Sequence, residues 1–552
     1  MIYIHGGSIM SDKFELARAK CPEEVGVDSK EIVEFFNDMK ENNLEFHSFM
    51  VIKGGKVACE FYRYPFNAET PHSIYSVCKT FTATAVGIAI GEGWFSLDTR
   101  LIDIFPEYAD FDKRLAKITV RHLVTMTAGK APSVFADKGK IDWIKDFFTS
   151  PWYGEPGTFR YVNENIFMLS AIIKRTTGLG LREFLTPRLF EPLGIEVPFW
   201  ETNKDGIEAG GWGAYVKLND LAKLMYCYAC GGKIDGRQLI PEDWARAASL
   251  AHADNSTAIA RDSNKGYGYC LWRCGGDEDC YRADGMFSQF GIVFEKEDAL
   301  VISMGGIADE QMARDCIWRH FPKAFCEPKK RARKAAVPEF NELAFKYPVD
   351  NPNASFHTLK EAQLNNSTIT VRKKIILNIA GFPVSMLPLA VTYMTTDKAG
   401  NIDNINFTFG DSELKLSWQE GDEKNTILCG MDGHLRYGAM RLGGIDYTVC
   451  CSAEWTDDEN LKVDVRPVTT VAKRILKFKF NGDSKVLITP TSTPFVSDIL
   501  ETLIISVEEL FPVKPVINLL YKIVKFTPLL VEPVHKGKLV KRKDIYEETD
   551  AK

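Results

Sequence analysis

Residues 76–90 read SVCKTFTATAVGIAI, and this stretch decides how the first half of the chain is interpreted. From Thr80 to Ile90 the side chains are apolar or small nearly all round, which is typical of a helix buried inside a domain rather than one on its surface. Gly91 and Gly93 supply the stop signal. The stretch therefore predicts a buried helix with a polar pair, Ser76 and Lys79, at its start.

The pattern around this helix indicates an α/β unit. Over the first three hundred or so residues, helical and strand-like segments alternate, as expected of one large domain. Residues 49–62 read FMVIKGGKVACEFY, where two apolar runs flank a Gly-Gly turn. That arrangement predicts a β-hairpin. We interpret residues 1–20 as an N-terminal extension and residues 21–326 as the domain itself.

A different organisation follows. Residues 327–345 are rich in lysine, arginine and proline and favour a solvated linker over a basic recognition patch. The period then becomes two in three segments: 405–409, 414–418 and 475–480. Residues 346–493 are therefore predicted to form an antiparallel β barrel or sandwich. In residues 494–552 a helical period returns, followed by a charged tail from Lys536 that we expect to be disordered.

Composition narrows the possible functions. The chain has 552 residues, 45% of them hydrophobic, and a net charge of -6, which gives no reason to propose nucleic acid as a partner. Thirteen scattered cysteines indicate reduced thiols, and no export signal is visible in residues 1–20, so we expect a cytoplasmic protein. Lysines and prolines interrupt the apolar segment 511–534, which argues against a membrane span. The sequence does not fix the oligomeric state.

Ser76 and Lys79 form the strongest chemical signal. Positions three apart share a face of a helix, so the amine of Lys79 is predicted to lie beside the hydroxyl of Ser76. A serine hydroxyl becomes a good nucleophile only when a base removes its proton, and a desolvated lysine can be that base. The helix start adds free N–H groups near developing negative charge. Cys78 is interpreted as a packing residue rather than a rival nucleophile.

A second Ser-x-x-Lys spacing tests this interpretation. Ser412 and Lys415 lie in a segment of period two, where positions three apart point to opposite faces of a sheet. Only at Ser76 does the spacing coincide with helix geometry. The spacing alone is common by chance, so its structural context carries the prediction.

Residues 155–163 read EPGTFRYVN, and together with Ser76 and Lys79 they give a family resemblance. The chain resembles the class C β-lactamase, DD-peptidase and esterase family of serine hydrolases from about residue 21 to residue 325. Further matching segments, in order, are ITVRHLVTMTAG at 118–129, LFEPLG at 189–194, AGG at 209–211 and YRADGM at 281–286. The resemblance implies an antiparallel sheet flanked by helices, with an all-helical subdomain.

The resemblance also implies roles for individual residues. The phenol of Tyr161 would exchange protons with the nucleophile and the leaving group, held partly as phenolate beside the Lys79 ammonium. The amide of Asn163 would bind substrate. Where the family has a Lys-Thr-Gly or His-Thr-Gly triplet, this chain has Ala283-Asp284-Gly285. We expect Ala283 to face the pocket and Asp284 to face away.

The same triplet completes the predicted site. Gly285 would let substrate lie along the strand, and the backbone N–H groups of Met286 and Ser76 would form the oxyanion hole. Because Ala283 replaces a cation or an imidazole, the resemblance casts doubt on good penicillinase activity. His72 and His122 are interpreted as structural, since no G-x-S-x-G or H-E-x-x-H motif is present.

The sequence thus predicts an enzyme that cleaves a small ester, amide or peptide through an acyl-serine, with no cofactor and no metal. A zinc site at Cys227 and Cys230 is disfavoured because that pair lies in a helical apolar stretch. The alternatives are a true β-lactamase or DD-peptidase and, in another class, a penicillin-binding-like protein that binds without turnover.

Overall fold

The computed structural model describes residues 13–131, 142–256, 261–274, 280–346, 354–372, 402–442, 445–493 and 534–542. The predicted N-terminal extension before residue 13 and the predicted helices between residues 494 and 533 lie outside the described residues. Within the described parts, no helix is both long enough and apolar enough to cross a membrane.

The first domain is built on a seven-stranded sheet with the order β1-β3-β2-β12-β11-β10-β9. The strands of this domain, including two small accessory sheets, are β1 Ala17–Arg18, β2 Phe46–Lys53, β3 Lys56–Tyr62, β4 His72–Ser73, β5 Phe199–Trp200, β6 Ala214–Val216, β7 Lys233–Ile234, β8 Arg237–Gln238, β9 Trp272–Arg273, β10 Cys280–Gly285, β11 Gln289–Phe294 and β12 Ala299–Gly305. All pairings in the main sheet are antiparallel except the two-residue β1, which runs parallel to β3.

Helices cover both faces of this sheet. Those of the described residues are α1 Ser29–Glu41, α2 Cys78–Gly91, α3 Leu101–Ile104, α4 Val120–Val124, α5 Trp143–Thr149, α6 Asn163–Thr177, α7 Leu181–Leu185, α8 Glu191–Leu193, α9 Leu218–Ala229, α10 Glu242–Ala248, α11 Glu310–His320, α12 Pro338–Lys346 and α13 Lys360–Leu364. One apolar core joins the sheet to α1 and α11, and a larger one joins the opposite face to α2, α6 and α9. The predicted sheet, flanking helices and helical subdomain are confirmed.

Two local predictions are confirmed in detail. The hairpin of β2 and β3 turns at Gly54 and Gly55, whose φ angles of 55° and 73° suit glycine. Twelve of the residues of α2, from Cys78 to Ala89, are buried. A helix apolar all round is therefore enclosed by its domain, as its composition predicted.

The second domain is a closed antiparallel β barrel, which resolves the choice between barrel and sandwich. Its strands in the described residues are β13 Ser367–Val371, β14 Ile402–Phe409, β15 Glu413–Glu420, β16 Glu423–Gly430, β17 Arg436–Leu442, β18 Ile445–Asp457, β19 Asn460–Pro467, β20 Lys473–Asn481, β21 Lys485–Thr493 and β22 His535–Lys541. A pairing between β16 and β18 closes a ring of nine strands, and β17 pairs with β18 outside it.

The structure corrects two expectations about this half of the chain. The tail from Lys536 is not disordered throughout, because β22 pairs with β13 and β21 and buries Leu539 among exposed lysines. The end of the predicted linker is the helix α12, whose Phe340 and Leu343 pack against α1 and β3. In both segments, the many charged residues made a short apolar face hard to recognise from the sequence.

The barrel contacts the first domain close to the start of α2. The backbone N–H of Ser73 donates to the carbonyl of Thr469, at 2.8 Å. A small apolar cluster joins the domains through Tyr75, Phe287, Val471 and Ala472, with Met286 at its edge. The segment between β19 and β20 therefore packs against the residues that flank Ser76.

Candidate active site

Ser76 lies in a tight 3-10 turn, Tyr75–Val77, that leads directly into α2. Its side chain is partly exposed, whereas the residues on either side of it are buried. Tyr75 has a φ of 45°, a left-handed conformation that costs free energy in a residue other than glycine. This strained residue lies directly before Ser76 in the chain.

The amine of Lys79 meets that hydroxyl. Lys79 Nζ lies 2.7 Å from Ser76 Oγ and donates to the carbonyl oxygen of Gly211 at 2.8 Å. Its side chain is 1% exposed, and burial lowers the pKa of Lys79 to about 8. The carbonyl of Gly211 is a partner that we did not predict, although the Gly210-Gly211 pair in the family pattern was a signal for it.

Tyr161 completes the group. Its phenol interacts with the side chain of Ser76, and Lys79 Nζ lies 4.8 Å from the centroid of its ring. The rings of Trp272 and Tyr267 pack against Tyr161 with centroids 5.2 Å and 6.0 Å away. Burial raises the pKa of Tyr161 despite its interaction with Ser76. The raised pKa favours a neutral phenol over the expected partial phenolate, whose presence stays a prediction.

Asn163 is the first residue of α6 and is partly exposed. A Cβ atom on Gly211 would lie 3.3 Å from Asn163 Oδ1 and 3.6 Å from Lys79 Nζ. Glycine at this position thus leaves room for the amide and the amine to approach the same backbone. The structure brings Asn163 to the predicted group, and its contact with substrate stays a prediction.

The strand β10 runs past the start of α2, and its side chains alternate as predicted. Ala283 pairs with Gly291 and belongs to the core on the α2 side, whereas Asp284 pairs with Phe290 on the α11 side. Ala283 has no exposed surface in this structure. Its predicted contact with substrate stays a prediction. Asp284 forms an ion pair with Arg282 at 2.6 Å.

Gly285 approaches the backbone that precedes Ser76. A Cβ atom on Gly285 would lie 2.5 Å from the carbonyl oxygen of Ile74 and 3.3 Å from Val77 Cγ2. Met286 follows directly and begins the turn between β10 and β11. The structure therefore brings the predicted oxyanion segment next to Ser76, and the use of the Met286 N–H stays a prediction.

Neither candidate histidine joins this group. The imidazole of His72 is hydrogen-bonded to His47 and to the carbonyl of Ser73, and burial lowers its pKa to about 4. His122 Nδ1 accepts from the backbone N–H of Thr119 at the start of α4. Among the described residues, no three His, Cys, Asp or Glu side chains are grouped so that they could hold a metal ion.

Known proteins with similar sequences identify the family of the first domain. Residues 37–305 match the family model Beta-lactamase. Residues 37–305 therefore form a β-lactamase-family domain. This family match ends before the barrel begins, so the β-lactamase-family domain accounts for the first half of the chain only.

Curated relatives cover parts of the same domain. The chain is 32% identical over 134 residues to Beta-lactamase of Escherichia coli K12, a match that covers 24% of this chain and 35% of that protein. It is 24% identical over 219 residues to the 6-aminohexanoate-dimer hydrolase of Paenarthrobacter ureafaciens, which covers 36% of this chain and 56% of that protein. The chain thus spans about a third to a half of the length of these relatives.

The solved structure named putative 6-aminohexanoate-dimer hydrolase, from Bacillus anthracis, matches with a TM-score of 0.48 and 17% identity. The match covers 56% of this chain and 87% of that one. The β-lactamase family and the relatives named here are hydrolases.

Proposed function

We propose that this protein is a serine hydrolase that cleaves a small ester or amide through an acyl-enzyme on Ser76. The observation that supports the proposal most strongly is the 2.7 Å contact between Lys79 Nζ and Ser76 Oγ, with the phenol of Tyr161 interacting with the same side chain. A nucleophile, a base and an acid within one hydrogen-bonded group are the parts that acyl transfer requires.

The pKa directions support the roles that we propose for the two proton carriers. With its pKa lowered to about 8, Lys79 is a neutral amine in roughly a tenth of molecules at pH 7 and can accept the proton of Ser76. Tyr161, whose pKa is raised, is a proton donor and would protonate the leaving group. The Lys79 ammonium would then return a proton to Tyr161, which restores the pair.

The remaining steps follow acyl-transfer chemistry. Ser76 Oγ bonds to the carbonyl carbon of the substrate, and the bond to the alcohol or amine leaving group breaks after protonation. The N–H groups of Ser76 and Met286 would bind the oxyanion, and the amide of Asn163 would hold the substrate. Water then attacks the acyl-serine, and its proton passes to the same base. The bond between the acyl carbon and Ser76 Oγ breaks, the base returns the proton to Ser76 Oγ, and the acid is released.

The substrate class rests on the residues around the nucleophile and on the relatives. Ala283 offers no cation for the carboxylate of a β-lactam, which favours esters or amides without one. The chain is also 26% identical over 163 residues to a protein of Penicillium rubens named Lovastatin esterase. A true β-lactamase or DD-peptidase is the second candidate, and rapid hydrolysis of nitrocefin would favour it.

A binding protein without turnover is the candidate from another class, motivated by Ala283 and by the attached barrel. It predicts a single round of acylation with a fluorescent penicillin and no steady-state hydrolysis of any ester, amide or β-lactam. A panel of acyl esters and D-amino-acid amides separates the two, because an enzyme releases product over many turnovers.

Labelling with a fluorophosphonate tests the proposal directly. We expect a stable adduct on the intact protein, none on Ser76→Ala, and full labelling of Ser412→Ala, the matched control in the second Ser-x-x-Lys spacing. An adduct that persists on Ser76→Ala, or no adduct on a folded wild-type protein, would refute the assignment.

A further inference from the structure

The turn between β10 and β11 is held by side chains from outside the proposed catalytic group. It contains Phe287 and Ser288, whose φ angles are 65° and 69°. Neither residue is glycine, so the backbone keeps this conformation only if its surroundings enforce it. The turn begins at Met286, the residue whose N–H we propose as an oxyanion donor.

Gln289 holds the carbonyl side of the turn. Its buried side-chain amide donates to the carbonyl oxygens of Met286 at 3.1 Å, Phe287 at 3.0 Å and Gly305 at 2.9 Å. Its Oε1 accepts from the N–H of Gly305 at 3.2 Å, which ties the turn to β12. The carbonyl groups of the turn are thus fixed, and its N–H groups need a different partner.

That partner comes from the first residue of α11. Glu310 Oε1 accepts from the backbone N–H of Phe287 at 2.8 Å. A carboxylate is a stronger acceptor than a neutral carbonyl, so this bond is charge-assisted. Glu310 contacts the turn one residue beyond Met286, and its carboxylate fixes the peptide that follows the proposed oxyanion donor.

We propose that Glu310 is a positioning residue, whose carboxylate orients the turn that follows β10 so that the Met286 N–H faces the oxyanion. This inference rests on the proposed function of Ser76. Glu310 acts through the backbone and needs no contact with the substrate. Its contribution concerns the transition state, because the geometry of the donor matters most when negative charge develops.

The charges that face Glu310 make this contribution depend on pH. Arg314 lies 3.6 Å away on α11, and Asp284, itself paired with Arg282, faces Glu310 from β10. Among the proposed catalytic residues, Tyr161 is the titratable group that interacts electrostatically with Glu310. Burial first, and then the negative charge of Asp284, raise the pKa of Glu310 to about 7. Glu310 therefore gains its charge as the pH rises through neutrality.

Two variants and a control test the inference. Glu310→Gln keeps the shape and an acceptor oxygen but loses the charge, and Glu310→Ala removes the acceptor. Arg319→Ala is the control, because Arg319 lies on the same helix and pairs with Asp38 instead of contacting the turn. We expect kcat to fall about 3-fold to 10-fold for Glu310→Gln at pH 8 and about 10-fold to 100-fold for Glu310→Ala, with KM little changed, since a lost oxyanion donor costs up to about 10³.

The pH profile distinguishes positioning from a purely structural role. The ratio of wild-type to Glu310→Gln acylation rates cancels the titration of Lys79, and we expect it to rise from about 1 at pH 6 to its full value at pH 8. A flat ratio, or an equal loss in Arg319→Ala, would overturn the inference. Failure of wild-type Ser76 to be labelled would instead refute the proposed function.

Discussion

Both domains of this protein bury cations, and Lys79 of the first domain and Arg474 of the barrel have different partners. In the barrel, Arg474 is 1% exposed and forms two hydrogen bonds with the carboxylate of Glu420, at 3.0 Å and 2.9 Å. In the first domain, Lys79 is equally buried but donates to a hydroxyl and to a carbonyl. Among the ion pairs of the described residues, none includes Lys79.

The partners of a buried cation decide whether it can exchange its proton near neutral pH. A buried cation beside a carboxylate keeps its proton, because the partner offsets the loss of hydration. A buried amine with neutral partners has a lowered pKa and can exchange its proton near neutral pH. The charges of the barrel pair are therefore fixed, whereas the amine of Lys79, in the proposed mechanism, can accept the proton of Ser76.

The largest expected effect comes from removing the isolated amine. Lys79→Met preserves the length of the side chain and its burial, and we expect acylation of Ser76 to slow by about 10³-fold to 10⁴-fold. Thermal stability should stay the same or rise, since a buried unpaired charge is lost. Fluorophosphonate kinetics and a melting curve check both, with Lys415→Met as the matched control. A large loss of stability would show that Lys79 is mainly structural.

Removing the paired cation, Arg474, should mainly lower stability rather than slow acylation. Arg474→Met leaves Glu420 buried without its partner, and we expect the free energy of unfolding to fall by about 3–5 kcal/mol. In the double variant with Glu420→Leu, most of this loss should be recovered. Denaturant unfolding followed by tryptophan fluorescence measures it. No recovery in the double variant would mean that the ion pair is not the source of the effect.

A smaller effect tests how β10 meets the nucleophile. In Gly285→Ala the new Cβ would lie 2.5 Å from the carbonyl oxygen of Ile74, a backbone atom that cannot move alone. We expect a loss of about 1–3 kcal/mol in stability and slower acylation. Gly438→Ala, where the nearest atom is 3.9 Å away in the barrel, is the control. Equal effects in both variants would contradict the close approach at Gly285.

The smallest effect is a pH dependence of stability. The pKa of Lys79 is about 8 in the folded protein and 10.5 in the unfolded chain. Between these values the unfolded chain binds more protons, so the contribution of Lys79 to stability rises with pH. Compared with Lys79→Met, the wild type should gain about 1 kcal/mol from pH 8 to 9. Parallel curves for the two proteins would refute the lowered pKa.

The local patterns predicted much of the fold. The alternation of period two predicted the barrel strands, and the unbroken apolar stretch of α2 predicted a buried helix. The tail strand β22 and the helix α12 were missed because each buries only one or two apolar residues among many charges, and such short faces are decided by tertiary packing. The direction of the Tyr161 pKa could not be predicted from the sequence, because it depends on burial in the folded protein.

The sequence by itself determined which chemical groups are present and which share a helix face. Ser76 and Lys79 are neighbours on any helix, since the spacing alone sets their distance. Only the tertiary structure decided that Tyr161, Gly211 and the turn after β10 meet them, because these groups lie far away in the chain. Burial then set the pKa of Lys79, and Glu310 acquired a role that no local pattern indicates, because its partner is a backbone N–H more than twenty residues earlier.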